Sequence, residues 1–274
     1  MSSGRFDGRT IIVTGAAGGI GEGYARGLAD EGANVVVADL NDEAGEKVAA
    51  DIGGLYVHTD VSDPASAEAL AAATVERYGN INGLVNNAAI YGGMKLDFLI
   101  TVPWDYYKKF MSVNLDGALA VTRAVYPHMK EGGAIVNQSS TAAYLYSGFY
   151  GLAKAGINNL TFQLATELGG NNIRVNAIAP GPTDTEATRT TTPEEMVKDM
   201  VKLAYQDVPR IPIAQPMMDV AMQPNISGYT YWFHLEPDYR QLRMASRCQP
   251  IDYPKPDGKL SFDGSCSSAK RVDT

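Results

Sequence analysis

Cysteine is scarce in this 274-residue chain: only Cys248 and Cys266 occur, both near the end. Two late residues provide no disulfide framework; the pair is read as reduced thiols, with a single disulfide as the alternative. Histidine is equally sparse (His58, His128, His234), and no spacing among these and the cysteines suits a metal, so no metal is expected. Basic charge is also in deficit, with 23 Lys and Arg against 31 Asp and Glu, a formal charge of −8 and no basic block. Nucleic acid and anionic membrane surfaces are therefore poor partners. No apolar run approaches membrane-spanning length, and the opening MSSGRFDGRT has no apolar signal region, so the expected location is the cytoplasm. A small anionic ligand is still compatible with this charge, because backbone amides bind phosphate without net basic charge.

Short β-branched runs alternate with longer amphipathic ones from Thr10 to about Ile178. The runs predict strands over 10–14, 34–39, 54–58, 81–86, 134–138 and 173–178, and helices over 20–31, 43–51, 66–78, 111–129 and 150–168. Near-continuous apolar strands alternating with helices indicate an α/β fold of the Rossmann type: a doubly wound parallel sheet with helices on both faces. Composition changes near Pro209, where scattered prolines replace the periodic pattern. Residues 1–208 are read as a dinucleotide-binding and catalytic domain, and 209–274 as an atypical, irregular or partly disordered segment in which only 228–233 reads as a strand.

The first strand runs directly into TGAAGGIG, Thr14 to Gly21, and then a helix. Glycines here permit a tight turn and close approach of backbone to a pyrophosphate, and the following helix presents amides and the positive end of its dipole. Asp39 closes the second strand, where a carboxylate can accept both hydroxyls of an adenosine ribose and repels a 2′-phosphate. No arginine follows it, only Leu40, Asn41 and Asp42. The pattern favours NAD over NADP. Further on, Tyr150 and Lys154 stand four apart on a helix, hence on one face. A phenol ordinarily titrates near pH ~10, and a fixed cation beside it is expected to lower that value. Such spacing also arises by chance; its weight comes from its company.

Taken together, these residues resemble the short-chain dehydrogenases/reductases, in the compact single-domain branch. TGxxxGxG, Asp60-Val61, Asn86-Asn87-Ala88-Ala89 (with Ala89 for the usual glycine), Asn114, Ser139-Ser140, YxxxK and Pro180-Gly181 with Thr185 follow in family order over roughly residues 8–200. The resemblance implies a catalytic set of Asn114, Ser140, Tyr150 and Lys154, with Ser139 the alternative serine. It also implies a cofactor set of Gly15, Gly19, Ile20, Gly21, Asp39, Asp60, Val61, Asn87, Ala88, Tyr150, Lys154, Pro180, Gly181, Thr183 and Thr185. The implied reaction is hydride transfer between NAD and a secondary alcohol or its ketone. Asn114 would hold a water linking Lys154 to solvent, and the assembly would be a homo-oligomer, tetramer or dimer.

Two departures bear on the pocket. The interval between Ser140 and Tyr150 is shorter than the family commonly has, and it carries Tyr144 and Tyr146, either at the substrate mouth or plain surface aromatics. The usual closing TG…DGG pattern is missing, with only a faint echo at Phe262-Asp263-Gly264. The tail is therefore a divergent replacement or foreign sequence, and an NAD(H)-binding protein with impaired or no turnover is the alternative function. The stretch 90–104, with Tyr91, Met94, Leu96, Phe98 and Trp104, either meets a hydrophobic substrate or packs beneath its loop. Residues 183–200 occupy the place of a mobile substrate lid, with Thr192-Pro193-Glu194-Glu195 reading as a helix start.

Overall fold

The computed structural model describes residues 4–191 apart from Leu96 and Tyr146, together with 226–227 and 243–244. The chain divides into two compact units, Met1–Ala214 and Gln215–Thr274. In the first, strands β1 (Thr10–Thr14), β2 (Asn34–Asp39), β3 (Leu55–His58), β4 (Gly83–Asn86), β5 (Gly133–Gln138) and β6 (Ile173–Ile178) form one sheet in the order β3-β2-β1-β4-β5-β6. Every pairing is parallel. In the second, β7 (Ile226–Ser227) pairs antiparallel with β8 (Arg243–Met244). The expected strand over 228–233, the helix start at Thr192, and both cysteines lie outside the described residues.

Side chains alternate across the sheet with a period of two and so feed two cores. Ile11, Val13, Val35 and Val37 pack with Ala25 of α1 (Gly19–Asp30) and Val48 and Ala49 of α2 (Asp42–Ile52). Ile12, Val36 and Ala38 point the other way, into a core shared with α3 (Pro64–Tyr78), α5 (Gly117–Val125) and α6 (Gly148–Leu168) through Leu70, Val121 and Leu164. The helices stop and start where local chemistry requires. Asn41 Oδ1 accepts from Ala44 N at 3.2 Å at the start of α2, Asp63 Oδ1 accepts from Ala65 N at 3.0 Å before Pro64, and Gly53 and Gly79 close α2 and α3 in the left-handed conformation. Among the described residues, no helix is long and apolar enough to cross a membrane.

Two helix expectations need correction. The helix predicted from residue 111 begins earlier, as α4 (Trp104–Met111), and reaches α5 through a π-helical turn, Ser112–Asp116. Aromatic crowding hid its start: Trp104 stacks on Tyr107 with ring centroids 5.2 Å apart, and Phe110 packs edge-on to Phe149 at 4.7 Å. A short helix, α7 (Glu186–Thr191), also precedes the predicted lid helix, with Thr185 Oγ1 accepting from Thr188 N at 3.2 Å at its start.

Strands β4 and β5 are locked by buried polar groups as well as by their ladder. Asn86 Nδ2 donates to Asn137 Oδ1 (2.9 Å), Thr122 Oγ1 (3.0 Å) and the Ala118 carbonyl (3.3 Å), and Asn137 Nδ2 donates to Thr161 Oγ1 (2.9 Å). This column ties α5, β4, β5 and α6 at one level, just below the strand ends. Asn86→Leu deprives Asn137 Oδ1 and Thr122 Oγ1 of a buried donor, and urea unfolding should show a loss of about 1–3 kcal/mol. A loss below about 0.5 kcal/mol would mean that apolar packing alone aligns the two strands.

Candidate active site

The strand order changes direction between β1 and β4, which opens a crevice at the carboxyl ends of the strands. The motifs found in sequence lie at these ends: Gly15 after β1, Asp39 on β2, Asp60 after β3, Asn87 after β4, Ser139 and Ser140 after β5, Pro180 after β6. Gly15 and Gly19 adopt positive φ, 65° and 57°. A Cβ at Gly15 would meet Ala88 Cα at 2.7 Å, so the turn lies flat on the loop after β4. Asn87 fastens the two together, its Nδ2 donating to the carbonyls of Thr14 and Gly15, each at 3.0 Å. Thr14 Oγ1 receives the amides of Asn87 at 3.0 Å and Ala88 at 3.1 Å.

At the mouth of this turn, among the described residues, a Cβ on Gly18 would meet nothing within 4 Å and no side chain caps α1. First-turn amides facing open space without a side-chain partner fit a phosphate. Thr185 stands across from them, 3.8 Å from the position a Cβ on Gly19 would take. Thr183 Oγ1 donates to the Gly181 carbonyl at 3.2 Å, and the Pro180 carbonyl accepts from Thr141 N at 3.0 Å. Asp39 is held at both carboxylate oxygens: Oδ2 accepts from Ala17 N at 2.9 Å and Oδ1 from Asn41 N at 3.0 Å. Asp60 Oδ1 holds Ser62, accepting from its amide at 2.9 Å and its hydroxyl at 2.7 Å, while Val61 is buried against Gly117. The residues present thus fit a dinucleotide along the whole crevice.

Lys154 is buried at 3% exposure on α6, and its Nζ donates to the Gln138 carbonyl at 2.8 Å. Burial pushes its pKa from the usual 10.5 down to about 8. Tyr150 shares that helix face, with Nζ 5.9 Å from its ring centroid. The expectation of a lowered phenol pKa does not hold in this geometry. Burial raises the Tyr150 pKa, a side-chain hydrogen bond with Ser140 opposes the rise, and the nearby Tyr91 adds to it. Desolvation is the largest contribution, and the Lys154 ammonium is engaged with a strand carbonyl.

The two serines have different surroundings. Ser139 is buried and its Oγ donates to the Lys154 carbonyl at 3.3 Å, whereas Ser140 is half-buried and faces the Tyr150 phenol. Asn114 sits in the π-helical turn, a feature frequent at functional sites. Its side chain bonds Ile90 at both ends, Oδ1 accepting from the amide at 2.6 Å and Nδ2 donating to the carbonyl at 3.0 Å.

The residues of 90–104 divide between packed and exposed positions. Tyr91 lies against Tyr150 with centroids 5.4 Å apart, and Met94 packs on the Phe110–Phe149 cluster. Phe98 and Trp104 are exposed, each at 66%. Tyr144 accepts from Asn158 Nδ2 at 3.0 Å, and Tyr146 and Leu96 lie outside the described residues. Thr191 Oγ1 donates to the Tyr91 carbonyl at 3.0 Å, joining α7 to this loop. Gln138 was missed in sequence: its carbonyl receives Lys154, and its side chain accepts from the Tyr24 phenol at 2.7 Å. A backbone acceptor leaves no sequence signal.

Comparisons with known proteins agree with this geometry. The profile of the family described as Enoyl-(Acyl carrier protein) reductase matches residues 15–209. An uncharacterized oxidoreductase of Mycobacterium tuberculosis is 65% identical over 204 residues, covering 72% of this chain and 82% of that one. Sorbitol dehydrogenase of Cereibacter sphaeroides is 37% identical over 190 residues, 66% of this chain and 73% of the other. A solved structure of 3-ketoacyl-(acyl-carrier-protein) reductase from Brucella melitensis, complexed with NADH, superposes with a TM-score of 0.64 at 30% identity, over 72% of this chain and 90% of that one. With the ordered motifs converging on one crevice of a β3-β2-β1-β4-β5-β6 sheet, the chain belongs to the short-chain dehydrogenase/reductase family of oxidoreductases.

Proposed function

We propose that this oxidoreductase is an NAD-dependent alcohol dehydrogenase/ketone reductase acting on secondary alcohols or their ketones. The observation that carries the reading is the cluster of Ser140, Tyr150 and a fully buried Lys154 at the carboxyl end of β5, beside the glycine turn. A relative named as a sorbitol dehydrogenase and a structural neighbour complexed with NADH support substrate class and cofactor respectively. Asp39 supports NAD over NADP, because a 2′-phosphate would face its carboxylate.

When bound, the nicotinamide accepts a hydride from an alcohol carbon or returns one to a carbonyl carbon. In oxidation Tyr150 takes the hydroxyl proton, and in reduction it returns one. Ser140 donates a hydrogen bond to the substrate oxygen, fixing its position and opposing charge build-up there. Lys154 would hold the nicotinamide ribose and brings positive charge to the helix face that it shares with Tyr150. Asn114 links the Lys154 end of the site to solvent through a water. Tyr91 and Met94 provide an apolar wall that suits a hydrophobic alcohol. We further propose a cytoplasmic homo-oligomer with no nucleic-acid or membrane partner.

Tyr150→Phe keeps the ring and removes the proton carrier, so kcat for a panel of secondary alcohols should fall at least ~100-fold, with NADH affinity within about twofold. Retention of near-normal turnover would remove Tyr150 from the acid/base role. Lys154 makes a second, thermodynamic prediction. Its folded pKa of about 8 lies below the usual 10.5, so between these values the unfolded chain holds a proton that the folded chain has lost. Stability therefore rises with pH through that window and is lowest where both states are protonated, below it. Lys154→Met should abolish turnover and yet raise stability at pH 7, by up to roughly 3 kcal/mol, with this pH dependence gone from denaturation curves. A destabilised variant would show that the buried ammonium is held favourably.

A further inference from the structure

Asp39 can select a ribose only if its carboxylate is held still, and the restraint comes from an unexpected residue. Four donors converge on its oxygens: Ala17 N and Asn41 N on the carboxylate, and Thr59 N (2.9 Å) and the Tyr56 hydroxyl (2.9 Å) on its main-chain carbonyl. Three of these are backbone groups that any sequence would supply. The fourth is a side chain, from the edge strand β3, and it is built into place. A Cβ at Gly45, in the first turns of α2, would collide with the Tyr56 ring, so the glycine provides the seat on which the ring lies. The ring packs in the core beneath α1 and α2, with only its hydroxyl reaching the β2–α2 turn.

That hydroxyl is shared between the Asp39 carbonyl and Asp42 Oδ1, at 2.7 Å. Asp42 is itself held from β3, since His58 Nδ1 lies 2.6 Å from the same oxygen. One phenol therefore ties both ends of the segment 39–42, which carries the selecting carboxylate. Desolvation first, then the hydrogen bond to Asp42 and the charges of Asp42, Asp39 and Glu46, push the phenol well above its usual range, and it stays protonated.

We propose that Tyr56 is a positioning residue for cofactor selection: its hydroxyl, seated by Gly45, fixes the turn that aims Asp39. This rests on the reading of Asp39 as the ribose carboxylate. Bidentate recognition of a diol tolerates little displacement, so a small drift of the turn should weaken binding and narrow discrimination against 2′-phosphate.

The test is NADH and NADPH binding to the full-length protein, read by nucleotide fluorescence, with thermal midpoints measured alongside. Tyr56→Phe deletes only the hydroxyl, and NADH affinity should fall about fivefold while the ratio of NADPH to NADH dissociation constants narrows. In steady state the loss should appear in KM for NAD rather than in kcat. Gly45→Ala, which displaces the ring but keeps the hydroxyl, should move affinity in the same direction, and it decides the matter if Tyr56→Phe does not fold. A Tyr56→Phe protein with a lower melting point but unchanged nucleotide affinities would make Tyr56 a core residue only and overturn the proposal. If the parent protein binds NADPH as well as NADH, the reading of Asp39 fails first and this proposal falls with it.

Discussion

Burying an ammonium group with no carboxylate beside it among the described residues is costly, and the candidate site is arranged around that cost. Lys154 lies in the core of α6 with a strand carbonyl as its hydrogen-bond partner, and its pKa is depressed accordingly. A fold selected for stability alone would place methionine or leucine there. Accepting the penalty makes sense if a fixed cation is needed next to a phenol that burial has made a weak acid. The two shifts have the same origin, removal from water. They act in opposite directions on the two groups, drawing the ammonium towards neutrality and holding the phenol protonated.

The sheet supplies the rigidity that such an arrangement needs. The column Thr122–Asn86–Asn137–Thr161 fixes the level at which β4 and β5 end. One residue further along, Asn87 and Thr14 bind the glycine turn to the loop after β4. The glycine turn, the loop carrying Ile90 and Tyr91, and the Ser139–Ser140 corner are thereby referred to a common frame. The π-helical turn extends it, since the Asn114 amide holds Ile90 from the neighbouring helix layer. Loops carry the chemistry, but each is anchored within a residue or two of a strand end.

Much of this was legible in the sequence, for identifiable reasons. Parallel strands buried on both faces leave near-continuous apolar runs, so β1 and β2 were found with their exact limits, and β6 was found from its alternating Ile173, Val175 and Ala177. The glycine turn, Asp39 and the Tyr150–Lys154 spacing were found because their backbone or helical geometry demands particular residue types. The start of α4 was not found, because its apolar face is made of aromatic residues that also read as a substrate loop. The direction of the Tyr150 shift was misread, because spacing places Lys154 on the right face but does not say where its ammonium points. Tyr56 and Gly45 gave no signal at all. Their relation exists only across β3 and α2, and it is a matter of shape rather than motif.

The central claim is that a proton leaves to Tyr150 while a hydride leaves to a nicotinamide bound along the crevice. Oxidation of secondary alcohols deuterated at the carbinol carbon, followed by mass and NMR analysis of the nucleotide, tests it most directly. The expected result is NADH carrying one deuterium at C4 of the nicotinamide, on a single face. NADH without the label, or with label on both faces, would contradict direct transfer within this site.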